Sequence, residues 1–435
     1  MSGAVEQELG VVTASEGSAP PRSLDEGGRA AVLTLSTVGF TLMFAVWLMF
    51  GVLGIPIRKE LALTELQFGW LTAIAVLNGS LWRLLFGILT DRYGGRLVMT
   101  ALIAATAIPA FLVSRATSFA ELMVYGFLVG LAGNAFSVGI AWNSAWFPRH
   151  RQGFALGVFG AGNVGASVTK FIGPALIAAV PAVGYAGGVV PGGWRFVPFL
   201  YGLLLVAMAA ATWLFAPAND HRPGAGRGYG EMLRPLGYVR VWRFSLYYVV
   251  VFGAYVALSV WLPKYYVDVY GLKLQAAALL TAVFIFPASL LRPLGGWLSD
   301  RLGARRLMYW VFSGMLFALV PLCVPGWLGV VGFTAAVFVV GVGMGIGKAA
   351  VYKYIPEYFP RDVGAVGGIV GLLGALGGFF LPLLFAYFKQ ATGLPQSTFA
   401  VLLAVTAVSF LWLHVVVRRL PRASGAAIDS VEGRA

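Results

Sequence analysis

Five basic residues, Arg83, Lys170, Arg292, Lys348 and Lys353, lie inside long apolar stretches, whereas all 17 acidic residues fall in tails, loops or the ends of such stretches. An Arg or Lys at the centre of a membrane helix costs about 2.5–3.5 kcal/mol, so one that is retained normally has a partner. With no carboxylate in the middle of any stretch, the missing partner is expected to be an anion from outside the chain. Arg83 and Arg292 carry permanently charged, forked donors that suit a planar oxyanion. The competing reading is that a basic side chain runs along its helix to the aqueous face. That reading carries equal weight for Lys348, which sits with Lys353 toward one end of its stretch. Lys170 is harder to explain that way and is expected to line a cavity or serve proton movement.

The elements that must position these cations follow from composition. Of the 435 residues 59% are hydrophobic and 11% charged, against roughly a quarter charged in soluble domains. The chain therefore reads as an all-α polytopic membrane protein. About 20 apolar residues cross a bilayer, and twelve such segments can be drawn, near 31–55, 66–90, 97–114, 119–147, 153–180, 193–216, 243–268, 275–299, 306–325, 327–354, 364–389 and 396–417. The Gly-, Pro- and Arg-rich stretch 217–242 divides them into two bundles of six, 31–216 and 243–417. Residues 1–30 are expected to be a disordered cytoplasmic tail, and 418–435 a second tail. Short loops on the side of the tails and linker hold most of the Lys and Arg, which predicts both termini in the cytoplasm and a multi-pass protein of the inner membrane.

The halves also repeat. Ser80-Leu81-Trp82-Arg83 and Gly87-Ile88-Leu89-Thr90-Asp91-Arg92-Tyr93-Gly94-Gly95-Arg96 recur 209 residues later as Ser289-Leu290-Leu291-Arg292 and Gly296-Trp297-Leu298-Ser299-Asp300-Arg301-Leu302-Gly303-Ala304-Arg305. Arg83 and Arg292 thus occupy equivalent places. A second pair, Phe147-Pro148-Arg149 and Phe359-Pro360-Arg361, precedes a Gly-rich segment in each half. Internal duplication of this kind places a substrate site near the midplane between the halves. The doubled loop motif, with Gly87, Asp91, Arg92, Gly94 and Arg96 in one copy and Gly296, Asp300, Arg301, Gly303 and Arg305 in the other, resembles the signature of the major facilitator superfamily. Its Asp is expected to cap a helix end or pair with the neighbouring Arg, as conformational hardware rather than as a ligand.

The Gly-rich segments make the resemblance more specific. Phe-Pro-Arg followed by Gly157-Val158-Phe159-Gly160-Ala161-Gly162-Asn163-Val164-Gly165, a second Gly-rich run from Gly367 to Gly378 before Phe379-Phe380-Leu381-Pro382, and Leu-x-Arg ending in Arg83 and Arg292 together resemble the nitrate/nitrite porter family of that superfamily. The resemblance implies a twelve-helix major facilitator fold and an anion site formed by Arg83, Arg292 and Asn163. It implies aromatic walls at Phe44, Phe136, Tyr248 and Phe252, of which the last two, four apart, share a helix face. Lys170 stands where other members carry an uncharged amide. With Lys353 it marks the branch associated with proton-coupled nitrate uptake, so these two are the coupling candidates.

The partners implied are nitrate, nitrite, protons and the lipid bilayer, with the protein acting as a monomer. Three alternatives stay open: nitrate/nitrite antiport, a carrier of another small or organic anion, and a sensor that binds without flux. No nucleic-acid role is expected, because the basic residues are scattered between apolar spans. Neither a cofactor nor a metal is expected, since the single Cys, Cys323, builds no cluster. An enzyme is disfavoured, because no HExxH, GxSxG or intramembrane acid pair is present.

Overall fold

In lipid every backbone polar group must be satisfied within the chain, and runs of apolar residues meet that demand as helices. The computed structural model describes residues 26–419, and among them it contains no strand, only an isolated bridge between Tyr185 and Val190. The side chain of Lys170 lies outside the described residues.

Eight helices are each long and apolar enough to cross a membrane: Glu26–Trp47, Gly95–Val113, Phe119–Trp146, Gly193–Phe215, Val239–Tyr270, Val330–Tyr358, Val363–Thr392 and Ser397–Arg418. They are the first, third, fourth, sixth, seventh, tenth, eleventh and twelfth of the segments drawn from the sequence. The second and eighth are bent pairs, Glu65–Leu81 with Arg83–Tyr93 and Leu274–Leu290 with Arg292–Leu302, at 40° and 41°. The fifth runs through Arg149–Ala161 and Gly165–Ala179, and the ninth is Ala304–Leu322.

The sequence reading needs correction at the N-terminus and at the linker. The first helix begins at Glu26, so the last residues assigned to the N-terminal tail are helical, and residues 1–25 lie outside the described residues. The stretch 217–242 is not irregular throughout. It holds a short helix at Tyr229–Leu233 and a 3-10 turn at Arg234–Gly237, and the seventh span starts at Val239. Helix starts obey local chemistry where the chain re-enters after a loop. Thr64 with Gln67, and Ser118 with Glu121, form reciprocal capping boxes at the second and fourth spans.

The face bearing the linker is drawn together by glycine contacts. A Cβ on Gly87 would lie 1.9 Å from the carbonyl oxygen of Gly364, and one on Gly296 would lie 2.0 Å from that of Gly153. The second span thus touches the eleventh, and the eighth touches the fifth, backbone to backbone.

Candidate functional site

The two bends fall at Trp82 and Leu291, which are equivalent in the 209-residue repeat, and each is followed at once by an arginine. Pro293 explains part of the bend in the eighth span, since it lacks an N–H and cannot continue the helical ladder. Arg83 and Arg292 therefore each begin a short helix, Arg83–Tyr93 or Arg292–Leu302. The partial positive charge of a helix N-terminus adds there to the charge of the side chain. Broken helices of this kind build the midplane sites of transporters.

Both arginines are fully buried, with 0% exposure, and neither has a carboxylate partner among the described residues. They are not satisfied alike. Arg83 donates from Nε to the Gly79 carbonyl at 2.8 Å and from one terminal nitrogen to the Gly371 carbonyl at 3.1 Å, leaving its Nη2 without a partner. Arg292 has no partner for Nε or either terminal nitrogen. Four guanidinium nitrogens are thus buried and unpaired, an arrangement whose desolvation cost calls for a bound acceptor.

Phe136 lies between them, with each guanidinium carbon 5.4 Å from its ring centroid. Arg83 also faces Trp47 at 5.4 Å and Phe252 at 5.7 Å, within cation–π range. Tyr248 stacks on Phe252 at 5.0 Å and 10°, so the two do share a face, and its buried hydroxyl lies toward Arg292 without reaching hydrogen-bond geometry. Phe252 sits in a π-helical turn, Val249–Gly253, a distortion that often accompanies functional sites. Asn163 occupies a 3-10 turn, Gly162–Val164, and both atoms of its buried amide lack partners. Phe44 is placed one ring further out: its ring contacts are Phe40 and Trp47, and the aromatic of that helix facing Arg83 is Trp47.

The lysines separate. Lys348 is fully buried rather than reaching water, and it donates to the Ala288 carbonyl at 3.0 Å with its amine 3.2 Å from the Tyr255 ring centroid. Lys353 is not an unpaired cation. It pairs with Asp300 at 2.7 Å, with Glu357 at 3.7 Å, and donates to the Arg149 carbonyl. The sequence reading missed the closer partner because Asp300 stands at a helix end in a different span. For Lys170 only the backbone is described, within the helix Gly165–Ala179.

The aspartates of the two loop motifs each bond backbone N–H groups of the other half, Asp300 beside Lys353. Asp300 accepts from the backbone N–H groups of Gly153 and Phe154 at 3.0 and 2.8 Å, and Asp91 accepts from Gly364 at 2.8 Å. Asp91 thus meets the first turn of Val363–Thr392, where helix polarity favours a negative charge, and Asp300 meets the second turn of Arg149–Ala161, each in the opposite half. Neither pairs with the Arg beside it in sequence. Arg92 lies 4.5 Å over Tyr229, Arg301 lies 4.1 Å over Trp297, Arg96 bonds the Trp213 carbonyl and Arg305 the Tyr358 hydroxyl. Gly94 and Gly303 follow at φ +90° and +79°, a turn that disfavours any side chain. In the linker, Arg227 bridges Glu231 and Asp362. Burial lowers its pKa, but those two acids outweigh that and raise it.

Asp300→Asn is expected to loosen this face, because it leaves the buried Lys353 only the longer contact with Glu357, a change worth up to about 3–5 kcal/mol, the cost of a fully broken buried pair. Labels on the loops after the fourth and eighth spans would read the separation by electron resonance. Adding Lys353→Met should recover part of the loss, and no recovery would count against the ion pair as the cause.

The sequence profile of the Major Facilitator Superfamily matches residues 35–382 and 275–433. A Thermus thermophilus protein named probable nitrate/nitrite antiporter NarK1 is 68% identical over 409 residues, covering 90% of this chain and 92% of its own. The nitrite extrusion protein of Bacillus subtilis is 33% identical, over 88% of this chain and 94% of its own. The chain belongs to the nitrate/nitrite porters of the major facilitator superfamily. Solved structures agree on the fold: the human organic anion transporter MFSD10 matches the porter with a TM-score of 0.70 at 16% identity, covering 91% of this chain and 100% of that one. The Escherichia coli fucose:proton symporter gives 0.67 at 16% identity, over 88% and 98%.

Two aromatics of the candidate site escaped the sequence reading, and the role of Gly160 within its Gly-rich motif did so too. Trp47 faces Arg83, as above. Tyr352 stands edge-on to Phe136 at 5.0 Å and to Tyr248 at 4.8 Å, with its hydroxyl on the Gly367 carbonyl. A Cβ on Gly160 would lie 2.4 Å from the Arg292 guanidinium, so that glycine makes the room the side chain occupies. The one signal for Tyr352 was its place one turn after Lys348, on the same helix face.

Proposed function

We propose that this protein carries nitrate and nitrite across the bacterial inner membrane by alternating access. The observation that supports the reading most directly is the four unpaired guanidinium nitrogens of Arg83 and Arg292 beside one shared ring. A planar monoanion fits that arrangement, taking parallel N–H donors from a guanidinium fork while aromatic faces replace its water. Asn163 supplies an amide donor to the same ligand. Two fixed positive charges and one anion leave repulsion between the halves lower when the site is filled, so the loaded carrier closes more readily than the empty one. The bundles 31–216 and 243–417 rock about the anion as a monomer, with the linker and both termini on the cytoplasmic side.

For the energetics we propose nitrate uptake with a proton, with Lys170 as the coupling residue. Strict nitrate/nitrite exchange is the second reading. The engagement of Lys353 with Asp300, which gives one of the two coupling candidates a structural partner, supports it. Exchange of two monoanions moves no net charge and so escapes the cost of about 2.3 kcal/mol per charge per 100 mV.

Proteoliposomes test both levels. Uptake of labelled nitrate that chlorate competes with, but carboxylates do not, is the expected result, and an unselective anion flux would refute the substrate. Uptake driven by a pH gradient without internal nitrite supports symport, whereas an absolute need for internal nitrite supports exchange.

A further inference from the structure

The two arginines are related by the repeat, yet Arg83 has two of its three guanidinium nitrogens bonded and Arg292 none, and the Nε part of that difference traces to one carbonyl. At each bend a backbone oxygen four residues before the arginine takes a side-chain donor. In the second span that oxygen belongs to Gly79, and the Nε of Arg83 itself bonds it at 2.8 Å. The equivalent oxygen in the eighth span, 209 residues on, belongs to Ala288, and it is Lys348 of the tenth span that bonds it, at 3.0 Å. Arg292 keeps Nε and both terminal nitrogens unpaired.

The N-terminal half shows that the fold does not need a lysine there. Counted from the Phe-Pro-Arg sequences at Phe147 and Phe359, the position equivalent to Lys348 is Phe136, the ring between the arginines. A charge in the second copy is therefore an addition to the architecture, and it is engaged by a backbone carbonyl and an aromatic face. Its amine rests 3.2 Å from the Tyr255 ring centroid and 5.7 Å from that of Phe252, while the Tyr255 hydroxyl is tied to Ser289 at 2.9 Å.

We propose that Lys348 is a positioning residue: by occupying the Ala288 carbonyl it stops Arg292 from folding back as Arg83 does, and so presents the whole Arg292 guanidinium to the anion. Arg83 is the anchored member of the pair and Arg292 the free one. An Arg292 bound to its own helix would lose Nε as a donor to the ligand, and the fork would turn toward the backbone. The Tyr255–Ser289 bond keeps the ring under the ammonium in place, so the lysine stem has one resting geometry.

The inference rests on the nitrate reading of the same site. The test compares nitrate affinity, by calorimetry on purified protein, and nitrate KM, in proteoliposomes, for Lys348→Met, Lys348→Arg, Arg292→Lys and the double variant Lys348→Met/Arg292→Lys. Lys348→Met is expected to weaken affinity and raise KM about tenfold, the worth of one hydrogen bond to a charged group, with maximal rate changed much less. Lys348→Arg, which still offers a donor to Ala288, is expected to retain most of the affinity. In the Arg292→Lys background the Lys348→Met loss should vanish, because the lysine acts through that guanidinium. An equal loss in both backgrounds overturns the proposal and marks Lys348 as a source of charge or a structural residue. Unchanged affinity in Lys348→Met overturns it as well, and so does the failure of Lys348→Arg together with Lys348→Met. Wild-type protein that binds no nitrate would refute the substrate reading itself, a result separate from all of these.

Discussion

Arg292→Lys is expected to reduce nitrate transport about 10- to 150-fold, the range set by about 1.5–3 kcal/mol for a hydrogen bond to a charged group. Lysine keeps the positive charge but not the fork, so the loss reports geometry rather than attraction. The substitution is also the cleaner of the two possible. Arg292 makes no hydrogen bond to the protein among the described residues, whereas Arg83 links the second span to the eleventh through Gly371. Arg83→Lys should therefore lose transport to a similar degree and stability as well. Initial uptake rates in proteoliposomes, beside thermal unfolding of the same preparations, would separate the two. Wild-type rates in Arg292→Lys would remove this guanidinium from the anion site.

The second large effect concerns the linker face. Gly87→Ala would push a methyl group into the Gly364 carbonyl, 1.9 Å from the new Cβ, where backbone rather than a flexible side chain must give way. Overpacking of this kind costs about 1–3 kcal/mol. The penalty applies only while the second and eleventh spans are in contact, so the equilibrium should shift about 5- to 150-fold toward separation of this face. Transport should fall correspondingly, because a cycle that cannot close on one side does not turn over. Distances between spin labels at the linker-side ends of those spans should lengthen. Short distances with normal transport would show that the contact tolerates a methyl group.

The sequence disclosed the elements better than their interruptions. Twelve apolar segments, the repeat and the paired arginines were legible because burial in lipid demands long apolar runs and duplication leaves matching residues in both copies. The bends at Trp82 and Leu291 were not, since only Pro293 signals a break and the second span has no proline at that place. Phe136, Tyr248 and Phe252 came from family resemblance, and the structure brings all three beside the arginines. Trp47 and Tyr352 had no comparable motif. An aromatic in a membrane helix looks the same in sequence whether it packs against lipid, a neighbour or a guanidinium. Lys353 misled for a different reason: its closer partner is 53 residues earlier, in another span, and ion pairing of that range depends on how helices cross.

In each half the arginine and the loop-motif aspartate are carried by one short helix, Arg83 with Asp91 on Arg83–Tyr93 and Arg292 with Asp300 on Arg292–Leu302. Eight residues of helix make a stiff arm of about 12 Å, hinged at the bend behind the arginine. A tilt that brings either guanidinium onto an anion must swing the far end of the same arm, where its aspartate grips the opposite half. On the proposed reading of the site, ligand capture and release of this face would be two ends of one lever, with no separate relay through the protein needed to connect them.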